Sequence, residues 1–152
     1  DSRNAYMQDG TAGILIRMPS PDSTVAVGDT VTVTGATGSH FDELQVNVDG
    51  LVRLGTGTVP APRSITAAEI EAGDYQGELA VLDSVEVTAV DGGDITVTDG
   101  TDTTVVYVDA DTNIDAGATF TVGSSYSVIG VVSRYYDTWE LKPRSSADIS
   151  TL

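Results

Sequence analysis

The segment Asp109-Ala110-Asp111-Thr112-Asn113-Ile114-Asp115 places an oxygen-bearing side chain on every second residue. Calcium loops use this spacing because alternate side chains turn toward one ion. The EF-hand pattern then fails, since Ile114 stands where glycine is needed and Phe120 where a bidentate glutamate is needed. Two interpretations follow, a Ca²⁺ site or an aspartate-rich turn after a strand, and the interrupted pattern favours the turn. The candidate metal ligands are Asp109, Asp111, Asn113 and Asp115.

Aromatic side chains crowd the last hairpin of the C-terminal half, and one stands at the matching place in the N-terminal half. Small β-barrels use exposed rings of this kind to stack on bases or sugars. Alternation can put Trp139 on the same strand face as Leu141, which is the pattern of an ordinary core residue. Adjacent residues of a regular strand cannot both point inward, so at least one of the two neighbouring tyrosines is expected to be exposed. The candidate ligand-binding residues are Phe41, Arg134, Tyr135, Tyr136 and Trp139.

The sequence has one small cluster of basic residues, made of Arg134, Lys142 and Arg144. Such a cluster could bind an anion, but exposed cations more often offset neighbouring carboxylates. His40 is the only histidine, and the serines lack the spacing of a nucleophile elbow. A catalytic base or metal ligand at His40 would need partners from elsewhere, and a surface turn is the simpler interpretation. The sequence therefore predicts a non-catalytic protein.

The net charge and the lack of cysteine limit the classes of partner that the protein can bind and the compartment in which it works. The net charge is −16, Lys142 is the only lysine, and cysteine is absent. A surface of this sign repels the phosphate backbone and anionic membranes, so unaided nucleic-acid binding is disfavoured and membrane insertion is not expected. Without cysteine there are no disulfides and no thiolate metal sites. An acidic, lysine-poor surface fits a salty or calcium-containing exterior, and we expect a secreted or cell-surface protein.

The elements that must position these residues are short strands, and they occur twice in the same order. Each copy reads as strand, Asp-Gly turn, strand, longer loop, Val-Gly turn, strand, short turn, strand. Asp9-Gly10 and Asp99-Gly100 are strong hairpin signals because glycine supplies the positive φ of a tight turn. Between the copies, Leu51-Val52-Arg53-Leu54 suggests one more strand. Thr66-Ala67-Ala68-Glu69 is a capping-box pattern that predicts a short helix from Ala67 to about Ala72.

The second copy has an opening strand that the first copy lacks. A long alternating stretch, residues 78–90, precedes the Asp99-Gly100 turn region, whereas only a few residues precede Asp9-Gly10. We therefore predict an all-β chain of two tandem OB-like barrels, the first without its opening strand, and one short linker helix. The expected boundaries are residues 1–58 for the incomplete unit, 59–74 for the proline-containing linker and 75–152 for the second unit.

These patterns resemble the OB-fold region of bacterial secreted nucleases of the YhcR type and of related surface-anchored phosphoesterases. The resembling pieces are Tyr6-Met7-Gln8-Asp9-Gly10, the run 27–35, Pro60-Ala61-Pro62 and the closing run 141–149. The resemblance implies an accessory module beside a separate catalytic domain, similar to folds that bind single-stranded nucleic acid. It carries over no catalytic residue, and the acidic surface departs from an ordinary nucleic-acid groove.

Two functions follow from the sequence. The first is an extracellular, non-catalytic binding or spacer module of a larger protein, with nucleic acid or polysaccharide as its ligand. The second is a structural subunit of a fibre or surface layer. In that case a neighbouring copy or an upstream segment would supply the missing strand, as in donor-strand assembly.

Overall fold

The computed structural model describes residues 3–152, and their regular structure is almost entirely β. The N-terminal part contains β1 (Asn4–Gln8), β2 (Gly13–Arg17), β3 (Asp29–His40) and β4 (Glu43–Thr56). The C-terminal part contains β5 (Arg63–Ser64), α1 (Ala67–Ala72), β6 (Leu79–Asp91), β7 (Asp94–Thr98), β8 (Thr103–Tyr107), α2 (Ala116–Thr119), β9 (Ser125–Tyr135), β10 (Thr138–Lys142) and β11 (Ile149–Thr151). None of the helices in this range is long and apolar enough to cross a membrane.

The C-terminal part closes into a five-strand barrel. Its strands pair in the order β6-β7-β8-β10-β9, and β9 pairs back to β6. The β8–β10 pairing is parallel and the other four are antiparallel. This closed barrel is consistent with an OB-like module. Its core includes several side chains with no exposed surface: Ile70, Val87, Ile95, Val97, Val106, Val128, Val132 and Leu141.

The N-terminal part is an open sheet of four strands in the order β1-β2-β4-β3. Its pairings are antiparallel, parallel and antiparallel, the same sequence of senses as in β7-β8-β10-β9 of the barrel. Within residues 3–152 this sheet does not close. The prediction of two tandem barrels is therefore not confirmed, since the structure has one closed barrel and one open sheet.

The turns repeat as well as the strands. Asp9 Oδ1 accepts hydrogen bonds from the backbone N–H groups of Thr11 and Ala12, and Asp99 Oδ1 accepts them from Thr101 and Asp102. A short polar side chain that bonds the backbone two residues ahead stabilises a turn without help from the rest of the fold. Leu51-Val52-Arg53-Leu54 does not form a strand of its own, because it is the second half of β4.

The predicted helix is confirmed with its capping box. Glu69 N donates to Thr66 Oγ1 at 3.2 Å, and Thr66 N donates to Glu69 Oε2 at 2.8 Å. The helix ends at Gly73 in the left-handed conformation, φ 75°. Its inward face buries Ile70 in the barrel core.

We expect the Thr66→Ala substitution to lower the free energy of unfolding by about 1 kcal/mol, because the first turn loses its side-chain acceptor. Urea unfolding followed by circular dichroism measures this change. Thr58→Ala, at an exposed position outside the strands, is the matched control. An equal stability for both variants would contradict the importance of the cap.

Candidate functional site

The β3–β4 and β9–β10 hairpins bring their turns together. The β3–β4 turn carries Phe41 and the β9–β10 turn carries Tyr136, and both residues have a left-handed backbone, with φ values of 51° and 52°. The backbone N–H of Tyr136 donates a hydrogen bond of 2.7 Å to the carbonyl oxygen of Phe41. The sheet and the barrel are therefore joined directly at the turns that the sequence identified as equivalent.

Three rings form an exposed aromatic cluster at this junction. The ring centroids of Phe41 lie 5.1 Å from those of Tyr135 and Tyr136, and the two tyrosine rings are 4.8 Å apart. The three residues remain 42%, 51% and 50% exposed. The His40 ring lies 4.0 Å from that of Phe41. Aromatic side chains offer a large, rigid contact area, so a cluster left open to solvent is a candidate binding surface.

The other two predicted ligand-binding residues, Arg134 and Trp139, face each other across β9 and β10. Trp139 is half-buried against the barrel core, and a Cβ atom at Gly73 would come within 2.6 Å of its Cε2 atom. The Arg134 guanidinium carbon stands 5.2 Å from the centroid of the Trp139 ring, and its Nε donates to the carbonyl oxygen of Tyr136 at 2.8 Å. The structure therefore groups Phe41, Tyr135 and Tyr136, links Arg134 to them through the Tyr136 carbonyl, and places Trp139 against Arg134 and the barrel core.

Two glutamates are buried between the sheet and the barrel, close to the aromatic cluster along the chain. Glu43 on β4 is 7% exposed and Glu140 on β10 is 6% exposed. The hydroxyl of Tyr6 donates to Glu43 Oε1 at 2.8 Å and lies 3.2 Å from Ser133 Oγ. We call Glu43, Glu140, Tyr6 and Ser133 the inter-unit polar cluster. This cluster was not predicted from the sequence, although the two glutamates follow equivalent turns of the repeat.

Burial dominates the electrostatics of this cluster. Removal from water raises the pKa of Glu140 to about 7, with Lys142 opposing the shift and the charges of Glu43 and Asp94 adding to it. Burial also raises the pKa of Glu43, while hydrogen bonds from Tyr6 and Ser133 oppose that rise. The pKa of Tyr6 lies far above its usual value, because of its burial first and the Glu43 charge second. At least one carboxyl of this cluster is therefore partly protonated near neutral pH.

The structure gives three of the four predicted calcium ligands, Asp109, Asn113 and Asp115, other roles. Asp109 Oδ1 accepts from the backbone of Asp111 at 2.9 Å and starts a 3-10 turn, Ala110–Thr112. Asn113 ends that turn with φ 58°, and Asp115 Oδ1 accepts from Ala118 N at 3.0 Å as the N-cap of α2. In residues 3–152, no group of three or more histidine, cysteine, aspartate or glutamate side chains could hold a metal ion. The geometry gives no support to a calcium site in this segment.

Comparisons with known proteins show a distant similarity but do not assign the chain to a family. No family model matches the chain. The chain is 31% identical over 167 aligned residues to the Endonuclease YhcR of Bacillus subtilis (strain 168). The alignment covers 98% of this chain but 13% of the endonuclease, so the chain spans a small part of that protein's length. A solved structure described as "Structural mimicry for functional antagonism" matches 98% of this chain and 80% of its own, with 15% identity and a TM-score of 0.43. The chain is thus distantly similar to one segment of an endonuclease.

Proposed function

We propose that this chain is a non-catalytic binding module of a larger secreted protein, and that the aromatic cluster is its ligand-contacting surface. The observation that carries the proposal is the convergence of Phe41, Tyr135 and Tyr136 on one exposed surface from two hairpins. In OB-like barrels the turn between the fourth and fifth strands contributes to oligonucleotide and oligosaccharide binding. The β9–β10 turn occupies that position in this barrel.

Charge favours a polysaccharide over a nucleic acid as the ligand. The net charge of −16 repels phosphates, and Asp42 and Asp137 stand in the two turns themselves. The nearby cation, Arg134, already bonds the Tyr136 carbonyl and stacks on Trp139. Uncharged sugars carry no phosphate, and they offer apolar C–H faces to the rings and hydroxyls to the neighbouring carboxylates. The exposed surface therefore matches a neutral glycan better than a single-stranded nucleic acid.

Titration with panels of neutral oligosaccharides and with single-stranded oligonucleotides, followed by isothermal calorimetry, tests this function. We expect saturable binding to a neutral oligosaccharide. Tyr135→Ala should lower the affinity at least roughly tenfold, because it removes one of the three rings of the cluster. A tenfold loss corresponds to about 1.4 kcal/mol of binding free energy. Val122→Ala is the control, since Val122 is 59% exposed on the barrel outside the cluster. Binding that Tyr135→Ala leaves unchanged would place the ligand elsewhere, and binding to the oligonucleotide alone would refute the glycan.

A second candidate function is a structural subunit of an extracellular fibre or layer. The observation that favours it is the open edge of the N-terminal sheet, since in residues 3–152 β1 pairs with β2 alone and β3 with β4 alone. Unpaired edges are templates for pairing with another chain. Electron microscopy and light scattering over a range of concentrations test this role, and a strictly monomeric protein would refute it.

A further inference from the structure

The aromatic cluster is built from both halves of the molecule, so it exists only while the N-terminal sheet stays docked on the barrel. Phe41 comes from the β3–β4 turn, whereas Tyr135 and Tyr136 come from the β9–β10 hairpin. The backbone hydrogen bond of 2.7 Å from Tyr136 N to the Phe41 carbonyl joins the two turns directly. Any change that separates these turns would therefore take the aromatic surface apart.

The inter-unit polar cluster lies next to these turns along the chain and crosses the same interface. Glu43 is two residues beyond Phe41 on β4. Glu140 is four residues beyond Tyr136 on β10 and lies opposite Ser133 of β9. The charge of Glu43 raises the pKa of Glu140, so the two carboxyls are close enough to interact across the interface. Repulsion between them therefore acts on the strands that carry the two turns.

The hydrogen bonds of this cluster suit one charged carboxylate better than two. Glu43 accepts from the Tyr6 hydroxyl and from the backbone N–H of Arg134. The hydroxyl of Ser133 interacts with both glutamates, but it carries one hydrogen and can donate to one of them at a time. A protonated Glu140 supplies a hydrogen of its own instead of requiring one. Because a buried carboxylate without a donor is costly, the docked arrangement favours one proton on the pair.

The charged and titratable groups around Glu140 come from five strands. They are Tyr6 on β1, Glu43 on β4, Asp94 on β7, Tyr107 on β8 and Lys142 on β10. Lys142 is the positive charge among them, and its ammonium group also pairs with Asp109 at 3.5 Å. Arg134 pairs with Trp139 and so lies on the other face of the hairpin. Burial outweighs the attraction to Lys142, and the carboxyl of Glu140 therefore changes its charge near neutral pH.

Other contacts between the two halves do not depend on a proton. The backbones of Gly13 and Gly77 pack so closely that neither residue has room for a Cβ atom. Gln8 Oε1 accepts from Leu79 N at 2.9 Å. None of these groups titrates, so they would keep the sheet tethered to the barrel while the two turns move apart.

We propose that a proton on the Glu43–Glu140 pair controls the aromatic surface, keeping the two turns joined when it is bound and separating Phe41 from Tyr136 when it is lost. Without the proton, two buried negative charges repel each other across the interface, and water must enter to solvate them. The surface would therefore be assembled in mildly acidic surroundings and opened in alkaline ones. As a control of ligand binding this inference rests on the proposed function, whereas the separation of the turns needs no ligand.

Hydrogen exchange at the Tyr136 amide, measured by NMR spectroscopy at pH 5 and pH 8, tests the switch without a ligand. This amide donates the hydrogen bond to the Phe41 carbonyl. We expect its protection factor, corrected for the intrinsic exchange rate, to fall about tenfold, because the ionised form outnumbers the protonated form by that factor one pH unit above the pKa. Nuclear Overhauser effects between the rings of Phe41 and Tyr136 should weaken over the same interval. The amides of β7 and β8 should stay protected.

Two variants assign the effect to the glutamate pair. Glu140→Gln keeps the shape of the side chain and stays neutral, so the Tyr136 amide should remain protected at both pH values. Glu86→Gln removes an exposed carboxylate from β6 and should behave like the wild type. If Glu140→Gln does not fold, the wild-type protein at the two pH values still decides whether the turns separate.

Equal protection of the Tyr136 amide at pH 5 and pH 8 would overturn the proposal. A loss of protection that persists in Glu140→Gln would also overturn it, and so would a simultaneous loss in β7 and β8, which would mean that the barrel itself unfolds. Oligosaccharide titrations at the same two pH values separate the switch from the proposed function. Binding of equal affinity at both would contradict the control of binding, whereas no binding at either would refute the proposed function and leave the exchange result to decide the switch.

Discussion

The Gly13→Ala variant is expected to lose roughly 3 kcal/mol of unfolding free energy, because it forces the sheet away from the barrel. A Cβ atom at position 13 would overlap the carbonyl oxygen of Gly77 and lie 2.6 Å from the backbone nitrogen of Glu78. These neighbours are backbone atoms, so no flexible side chain can move aside. Gly77 itself has φ 80°, which fixes the path of the chain at the contact.

Urea unfolding at pH 7 measures the effect, and Gly10→Ala is the matched control. Gly10 lies in the neighbouring turn with nothing within 4 Å of the Cβ position and without a positive φ. If docking of the sheet creates the aromatic cluster, Gly13→Ala should also change the near-ultraviolet circular dichroism of the tyrosines. Equal stability of the Gly13→Ala and Gly10→Ala proteins would mean that the backbones at Gly13 and Gly77 can separate without a loss of unfolding free energy.

The second large effect is a loss of stability as the pH rises from 4.5 to 8. Glu140 has a folded pKa of about 7, raised from 4.5. The folded protein therefore binds the proton more tightly than the unfolded chain does. This contribution to stability is fully present below pH 4.5 and is lost as the pH rises through 7. A shift of this size is worth roughly 3 kcal/mol.

The carboxylates with lowered pKa values contribute in the opposite direction and at lower pH. Asp9, Asp29, Asp99 and Asp148 have pKa values below their usual one. The first-ranking causes are the hydroxyl of Thr11 at Asp9, the guanidinium of Arg53 at Asp29 and backbone N–H groups at Asp99. At Asp148 burial raises the pKa, and the hydrogen bonds from Arg144 outweigh that rise. Their stabilisation is complete above the unfolded value of 3.8 and is lost below it. The change in unfolding free energy between pH 4.5 and pH 8 therefore depends mainly on the inter-unit polar cluster. There the carboxyl of Glu140 is surrounded by Tyr6, Glu43, Ser133, Lys142 and Asp94.

Unfolding free energies at pH 5 and pH 8 for Glu140→Gln test this assignment. Glutamine cannot titrate, so the variant should lose much less stability than the wild type over the same interval. Glu86→Gln removes an equal charge from an exposed position on β6 and should behave like the wild type. If the unfolding free energy of Glu140→Gln still falls between pH 5 and pH 8, another group is responsible, and Glu43 is the next candidate.

The sequence by itself determined the features that depend on a few neighbouring residues. The Thr66–Glu69 capping box and the helix from Ala67 to Ala72 form as expected. Asp9 and Asp99 both bond the backbone of their turns, but the expected positive φ occurs at Gly100 and not at Gly10. Each depends on one side chain that bonds the backbone two or three residues away, so its pattern is visible in a short window. The repeat was equally visible, and it correctly placed Phe41 and Tyr136 in equivalent turns.

Only the tertiary structure determines how the N-terminal sheet and the C-terminal barrel contact each other. Spacing along the chain does not say that the Phe41 and Tyr136 turns share a hydrogen bond, that Glu43 and Glu140 are buried, or that the first half remains an open sheet. Nor does it say that Asp109 and Asp115 start a 3-10 turn and a helix. The sequence alone does not distinguish a buried carboxylate from a solvated one. Its environment is set by non-local packing of one sheet face on the barrel, and that packing is fixed only when both halves have folded.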